Sequence, residues 1–224
     1  MRLARESLAI AAKDLRIEVR GRYATGTVLP FAATLLIAFG LSIGPGRTLL
    51  RNTAPGLLWL AVLFASVLAF RRSYEAEGED GALEGLVLSP VDRAAIFLGK
   101  AAAVAVQLLA LELVVVLLVS ALFDLSFGRD PAIIAAAFLL GTLGLAAIGS
   151  LFGVLTESAR AREAVFPLLV LPLAVPVLIA GVKATAIATT GVGGSSGQWL
   201  GLLVAFDAVF VAAGVLVYGS LLED

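Results

Sequence analysis

The stretch RRSYEAEGEDGALEGLVLSPVDR, Arg71 to Arg93, decides how the rest of the chain is read, because it gathers nine charged residues into a sequence that is otherwise mostly apolar. On one side of it Ala54 to Phe70 is apolar, and on the other Ala101 to Phe123 is interrupted only by Gln107 and Glu112. About 20 helical residues cross a bilayer's hydrocarbon core, so both runs read as spans, the shorter one completed by snorkelling of Arg71 and Arg72. Further out lie Val28 to Ile43, Ala132 to Thr156, Ala164 to Val182 and Trp199 to Leu222, the last containing Asp207. Residues 184–198, rich in Thr, Gly and Ser, read as a loop. The expected fold is an all-α integral membrane protein, one domain over residues 1–224 with six spans near 28–43, 54–70, 101–123, 132–156, 164–182 and 199–222.

Composition agrees. Hydrophobic residues make up 60% of the chain, charged residues 15%, and the mean hydropathy is +1.04, more apolar surface than one soluble core can hide. A net charge of −1 excludes a general attraction to nucleic acid. There is no Cys or His, and Met1 is the only methionine. Disulfides, thiolate chemistry and the commonest ligands of transition metals and haem iron are thereby removed, so no metal site is expected.

Charge placement orients the spans. With the N-terminus inside, Arg2, Arg5, Lys13, Arg16, Arg20, Arg22, Arg71, Arg72, Arg93, Lys100, Arg160 and Arg162 lie on the inner side, 12 of the 16 basic residues. Arg47, Arg51, Arg129 and Lys183 lie outside, a split that places both termini and the loop 71–100 in the cytoplasm.

Residues 1–22 hold only a five-residue apolar run, Leu8 to Ala12, too short for the core of a cleaved signal. Leu8, Ala11, Ala12, Leu15 and Val19 recur at helical spacing, with Arg5, Lys13, Asp14, Arg16 and Arg20 around the remaining circumference. An amphipathic helix in the headgroup region is expected.

Inside the charged stretch, Leu83, Leu86 and Val87 form a small apolar face beside Glu79, Asp80 and Glu84. Ser89, Pro90 and Asp92 then read as an N-cap, a first-turn proline and an acid near the start of a second helix, which runs through Ile96, Phe97 and Leu98 into the third span. Six acids against three arginines disfavour a helix that merely lies on an anionic leaflet. A short amphipathic helix held between two spans suits contact with a soluble partner.

The run Glu79-Asp80-Gly81-Ala82-Leu83-Glu84-Gly85-Leu86, continued by Ser89-Pro90-Val91-Asp92-Arg93 and Leu98-Gly99-Lys100, resembles the cytoplasmic loop of the haem exporter protein B family, the membrane subunit of an ABC-type cytochrome c maturation complex. Lys13-Asp14-Leu15-Arg16, Glu112 and Pro167-Leu168-Leu169-Val170-Leu171-Pro172 extend the resemblance, whereas the ending Leu221-Leu222-Glu223-Asp224 departs from it. The resemblance implies a type II ABC exporter-like permease of the bacterial inner membrane, a homodimer within its complex. Residues 79–87, including Gly81, Ala82, Gly85 and Val87, would be the coupling helix that meets a cytoplasmic ATPase subunit. A haem-handling membrane subunit and a haem chaperone would be the other partners, with ATP, magnesium and haem held by them.

This division suits the residues. No Walker A loop is present, since Gly99-Lys100 has Ala94 where the first glycine belongs and Ala101 where a magnesium-binding hydroxyl belongs, so no ATPase activity is expected of this chain. Without His or Cys, only Tyr23, Tyr74, Tyr218 or a lysine could ligate haem iron, so the chain is expected to convert nucleotide-driven motion into haem export or release of a haem-loaded chaperone.

Glu112 and Asp207 are the acids within spans and the intramembrane functional candidates, because a charged carboxylate at the bilayer centre costs about 2.5 to 3.5 kcal/mol. Each either faces other helices or water or is protonated; fixing helix packing is the alternative role. Pro167, Pro172 and Pro176 are hinge candidates, predicting a kinked or broken fifth span. The pairs Gly40 and Gly44, Gly149 and Gly153, and Gly197 and Gly201 permit close helix approach. Two other functions fit the spans alone: an ABC permease for lipid, polysaccharide or drug, and a scaffold or secondary transporter driven by protons through Glu112 and Asp207.

Overall fold

The computed structural model describes residues 2–21, 24–44, 46–80, 91–154 and 159–221. In chain order these form α1 (Arg2–Gly21), a π-helical turn (Ala24–Val28), α2 (Leu29–Ile43), α3 (Arg47–Asp80), α4 (Arg93–Phe123), α5 (Pro131–Val154), α6 (Ala159–Thr190) and α7 (Gly197–Leu221). The described residues contain no strand, and α2 to α7 are each long and apolar enough, with the turn before α2, to cross a membrane. The protein is an all-α bundle of six potential spans, with α1 outside that set.

Burial is uneven, and the unevenness locates the centre. The apolar window of α3 is 67% buried against 17% for those of α2 and α7, so α3 is the helix the others enclose. Leu41, Leu113, Leu117, Leu168, Val204 and Leu216 are exposed on the outer faces. In water such a surface would drive association; against lipid it is the matching solvent.

Within the bundle, aromatic rings fill notches left by glycines. Trp59 of α3 is fully buried with its ring against Gly141 of α5 and Gly181 of α6, and its Nε1 donates to Thr185 Oγ1 at 3.0 Å. Phe70 lies on Gly149 and near the Phe166 ring, centroids 6.0 Å apart. Phe97 of α4 lies on Gly214 of α7 and 5.5 Å from the Tyr218 ring. Of the glycine pairs read from spacing, Gly149 has close neighbours, Gly40 meets Phe123 only at the ordinary distance of 3.5 Å, and Gly197 meets only Ser195 Oγ, two residues away in the chain, at 3.4 Å. Gly44 and Gly201 have nothing within 4 Å, and Gly44 instead closes α2 with φ 81°. The notches follow where large rings arrive from other helices, which spacing within one helix does not record.

Helix boundaries differ from expectation in three places. In the stretch 71–100, where two short helices were expected, the helix of the second span itself continues to Asp80 and α4 begins at Arg93, residues 81–90 lying outside the described residues. Ala76 and the neighbouring glutamates are strong helix formers, and the single Gly78 among them does not end the helix that enters from the span. The α4 N-cap is Asp92, whose side chain accepts from Ala94 N at 2.9 Å; Ser89 lies outside the described residues. The supposed loop 184–198 is helical to Thr190, ending where Gly191 takes φ 72°, so β-branched Thr and Ile near the end of α6 yield to its packing. Finally, α6 is one continuous α-helix with Pro167, Pro172 and Pro176 inside it, so of the expected kink or break the break is overturned. Packing on α3, α5 and α7 holds the segment helical despite the three missing donors.

Candidate coupling surface and intramembrane carboxylates

Helices α3, α4 and α6 are each longer than a bilayer's hydrocarbon core requires, with 34, 31 and 32 residues. At 1.5 Å per residue, the 34 residues of α3 extend about 51 Å and the 31 of α4 about 46 Å, against a hydrocarbon core of about 30 Å. In α3 the excess is the part beyond the apolar run that closes at Phe70, and it ends on Glu79 and Asp80. The segment expected to carry the partner contact thus begins at the end of α3 and leads to α4; Gly81, Ala82, Leu83, Glu84, Gly85, Leu86 and Val87 lie outside the described residues.

Helix α1 packs on the N-terminal part of α4, and among the described residues it packs extensively on no other helix. Glu6 Oε2 accepts from Asp92 N at 3.2 Å while Glu6 Oε1 receives Arg2 Nε at 2.7 Å. The Arg2 hydrogen bond first, and the Asp92 N–H second, hold the Glu6 carboxyl below its ordinary pKa. This contact therefore persists at neutral pH and is lost only as acid protonates Glu6 below the usual carboxylate range. Next, a Cβ on Gly99 would sit 2.8 Å from both Ser7 O and Ile10 Cβ, so α1 rests where α4 has no side chain. Lastly, Lys100, 1% exposed, faces Asp14 Oδ2 at 3.7 Å, and Lys13 Nζ reaches Asp14 Oδ1 at 3.2 Å. Gly99-Lys100 is therefore interior helix rather than a phosphate loop. Ile10 also joins Ile96, Phe97, Ala147, Leu151 and Tyr218 in a cluster of its own.

This placement revises the reading of α1 as a helix with one apolar face. Ile10, Ala11 and Asp14 are buried against the protein, whereas Leu8 and Val19 are 69% and 76% exposed. The helix has two apolar faces, and only the second is free to meet lipid.

The two acids within spans occupy different flanks of α5. Glu112 is buried and accepts from Thr142 Oγ1 at 2.6 Å. Asp207 is buried with Oδ1 at 2.8 Å from where a Cβ of Gly144 would stand, and its carboxyl oxygens have no hydrogen-bond partner among the described residues. Residues two apart on a helix point roughly 200° apart, so Thr142 and Gly144 separate the carboxyls rather than gather them.

At the opposite end, the connections are pinned by arginines. Arg51 Nε donates to Asp124 O at 2.8 Å and its guanidinium meets Asp124 Oδ2 at 3.3 Å, where Asp124 adopts φ 53°. Arg129 donates to Thr190 O at 3.3 Å, supplying the C-terminus of α6 with a cation that its dipole favours. The described residues contain no group of three or more His, Cys, Asp or Glu placed to hold a metal.

The sequence profile of the CcmB protein family matches residues 5–222, from α1 past the end of α7. The chain belongs to the CcmB protein family. It is 33% identical to haem exporter protein B of Pseudomonas aeruginosa over 217 residues, 93% of this chain and 95% of the relative. The protein of the same name from Rhodobacter capsulatus is 32% identical over 78% of this chain and 80% of its own length. That from Escherichia coli K12 is 38% identical over a shorter region, 39% of this chain and 40% of the relative. Because the CcmB match includes α1, this helix belongs to the family's plan together with the spans. The pairings Asp14 with Lys100, Glu112 with Thr142, and Trp59 with Thr185 were not read from sequence. The one available signal was the presence of Lys13-Asp14 and Gly99-Lys100 in the family-like motifs, with nothing to say that the two meet.

Proposed function

We propose that this chain is the membrane permease subunit of an ABC-type haem-export system serving cytochrome c maturation. The observation that carries it is the CcmB family match along nearly the whole chain, joined to six helices able to span a membrane. The end where α3 closes and α4 begins is cytoplasmic, in agreement with the positive residues of α1 and of residues 71–100, and both termini lie there, in the bacterial inner membrane. Residues 79–87 dock on a separate ATPase subunit. Haem is cargo, ligated by partner subunits: Tyr218 is buried on Phe97 and Lys100 faces Asp14, so neither is presented to an iron. The chain acts as a homodimer beside a haem-handling subunit and a haem chaperone.

The test is complementation of a bacterium lacking its own haem exporter protein B, with tagged protein recovered in mild detergent. Restored c-type cytochromes and co-purification of an ATPase and haem-handling subunits are expected. Capture of another ATPase without them would instead favour a lipid, polysaccharide or drug permease. Uncoupler-sensitive transport with no ATPase would favour a proton-driven transporter.

Glu112 is proposed to act in the transport cycle. Glu112→Gln preserves its shape and an acceptor for Thr142 but removes its ionisation. Normal expression with severalfold less cytochrome maturation is expected, while unaltered maturation would leave Glu112 a packing residue. Pro167, Pro172 and Pro176 remain hinge candidates in the weaker sense that each omits one helical hydrogen bond, and Asp207 is the second intramembrane candidate.

A further inference from the structure

We infer that Asp14, Gly99 and Lys100 lock α1 to the cytoplasmic end of α4, so that α1 and the exit of the coupling segment move as one lever. The inference rests on the coupling role proposed for residues 79–87.

Three contacts of different chemistry fall along one line. Glu6 faces Asp92 and Asp14 faces Lys100, so α1 runs parallel to the first turns of α4. Between them the backbone at Ser7 lies over Gly99, closer than any side chain at that position would allow. The contact at the start of α4 has a specific consequence. Asp92 is the N-cap of α4: its side chain takes up the Ala94 N–H, while its own N–H is taken up by Glu6 of α1. The residue at which the chain leaves the coupling segment and becomes α4 is therefore held from both sides, once by its own helix and once by α1.

The ion pair adds direction. Lys100 and Asp14 are 1% and 9% exposed, so drawing α1 off α4 takes the Asp14 carboxylate, which would keep Lys13 on α1, away from the Lys100 charge in a place that water hardly reaches, an unfavourable change. A displacement delivered at Asp92 is then passed to α1 instead of being absorbed by sliding between the helices. Ile10 carries the same displacement inward, because its cluster includes Phe97, which lies on Gly214 of α7, and Leu151 of α5. Asp14 and Lys100 are thus positioning residues for coupling, distinct from the residues that touch the ATPase.

The chain has no cysteine, which permits a direct test in the assembled complex. Leu3 and Val91 line one cavity of about 360 Å³ between the starts of α1 and α4, so Leu3→Cys with Val91→Cys can be bridged by a short bis-maleimide. If the two helices travel together, the bridged complex keeps its nucleotide-driven activity undiminished; loss of activity on bridging, or failure to bridge, would overturn the lever. Lys100→Asp should lower cytochrome maturation roughly tenfold, a size typical of coupling between sites, with ATPase capture unchanged. Adding Asp14→Lys should restore most of it, and absence of rescue from a well-expressed double variant counts against the pair. Gly99→Val, which pushes α1 away, should resemble Lys100→Asp. If these variants fail to accumulate, the bridging experiment decides alone. Failure of the coupling role is read separately, as ATPase capture that survives disruption of Leu83 and Leu86.

Discussion

Replacing Leu83 and Leu86 together by aspartate is expected to abolish capture of the ATPase subunit while the six spans remain folded. The two leucines, with Val87, are the apolar residues of a segment otherwise charged or small, which joins α3 to α4. Burying each leucine at a contact contributes about 1.5 to 3 kcal/mol before ordering costs. Losing both, and placing two carboxylates where an apolar surface must close, removes at least about 3 kcal/mol, a hundredfold or more in affinity. The measurement is the amount of ATPase subunit recovered with the tagged chain, alongside a thermal melt of the purified membrane subunit. Undiminished recovery with an unchanged melt would remove residues 79–87 from the interface. Loss of the membrane subunit itself would be met by the milder Leu83→Ser.

Trp59→Ala should be the most destabilising single change within the spans. The indole fills notches at two glycines on two different helices, and its N–H satisfies Thr185. Truncation leaves a cavity at the most enclosed helix and an unpaired hydroxyl, and large-to-small changes of this kind cost about 3 to 5 kcal/mol. Equilibrium unfolding in mixed micelles measures it. A loss below about 1 kcal/mol, the range of a single hydrogen bond, would mean that α3, α5 and α6 collapse onto the vacated space. Trp59→Phe, which keeps most of the ring and loses the N–H, separates the two contributions and should lie well between.

The Glu112 variant carries a different message from these two. Its hydrogen bond to Thr142 survives replacement by glutamine, so a change in maturation without a change in folding would point to the acid itself. Asp207 offers no comparable control, because its carboxyl oxygens have no partner among the described residues.

The number and type of helices were legible because a bilayer leaves so little choice: a long uncharged run must satisfy its backbone internally, and a helix does so at any position. Composition and six apolar runs were therefore sufficient for the architecture. The motif from Glu79 to Lys100 pointed to the family, which the match over residues 5–222 bears out. Helix ends were less legible. Continuation of α3 to Asp80 and of α6 to Thr190 depends on helix formers and neighbours acting past the edge of the apolar run, where hydropathy carries no signal.

What only the tertiary structure decided is which residues meet. Spacing along one helix says that Gly141, Gly181 and Gly214 are small, but the rings of Trp59 and Phe97 that use the gaps come from other helices. In the same way Asp14 and Lys100 read as ordinary charges at a membrane surface until the parallel packing of α1 on α4 sets them against each other. Hydrophobicity acts on each residue alone and is written in the sequence. Pairing energies act between residues far apart in the chain, and they take their values only once the helices have been placed.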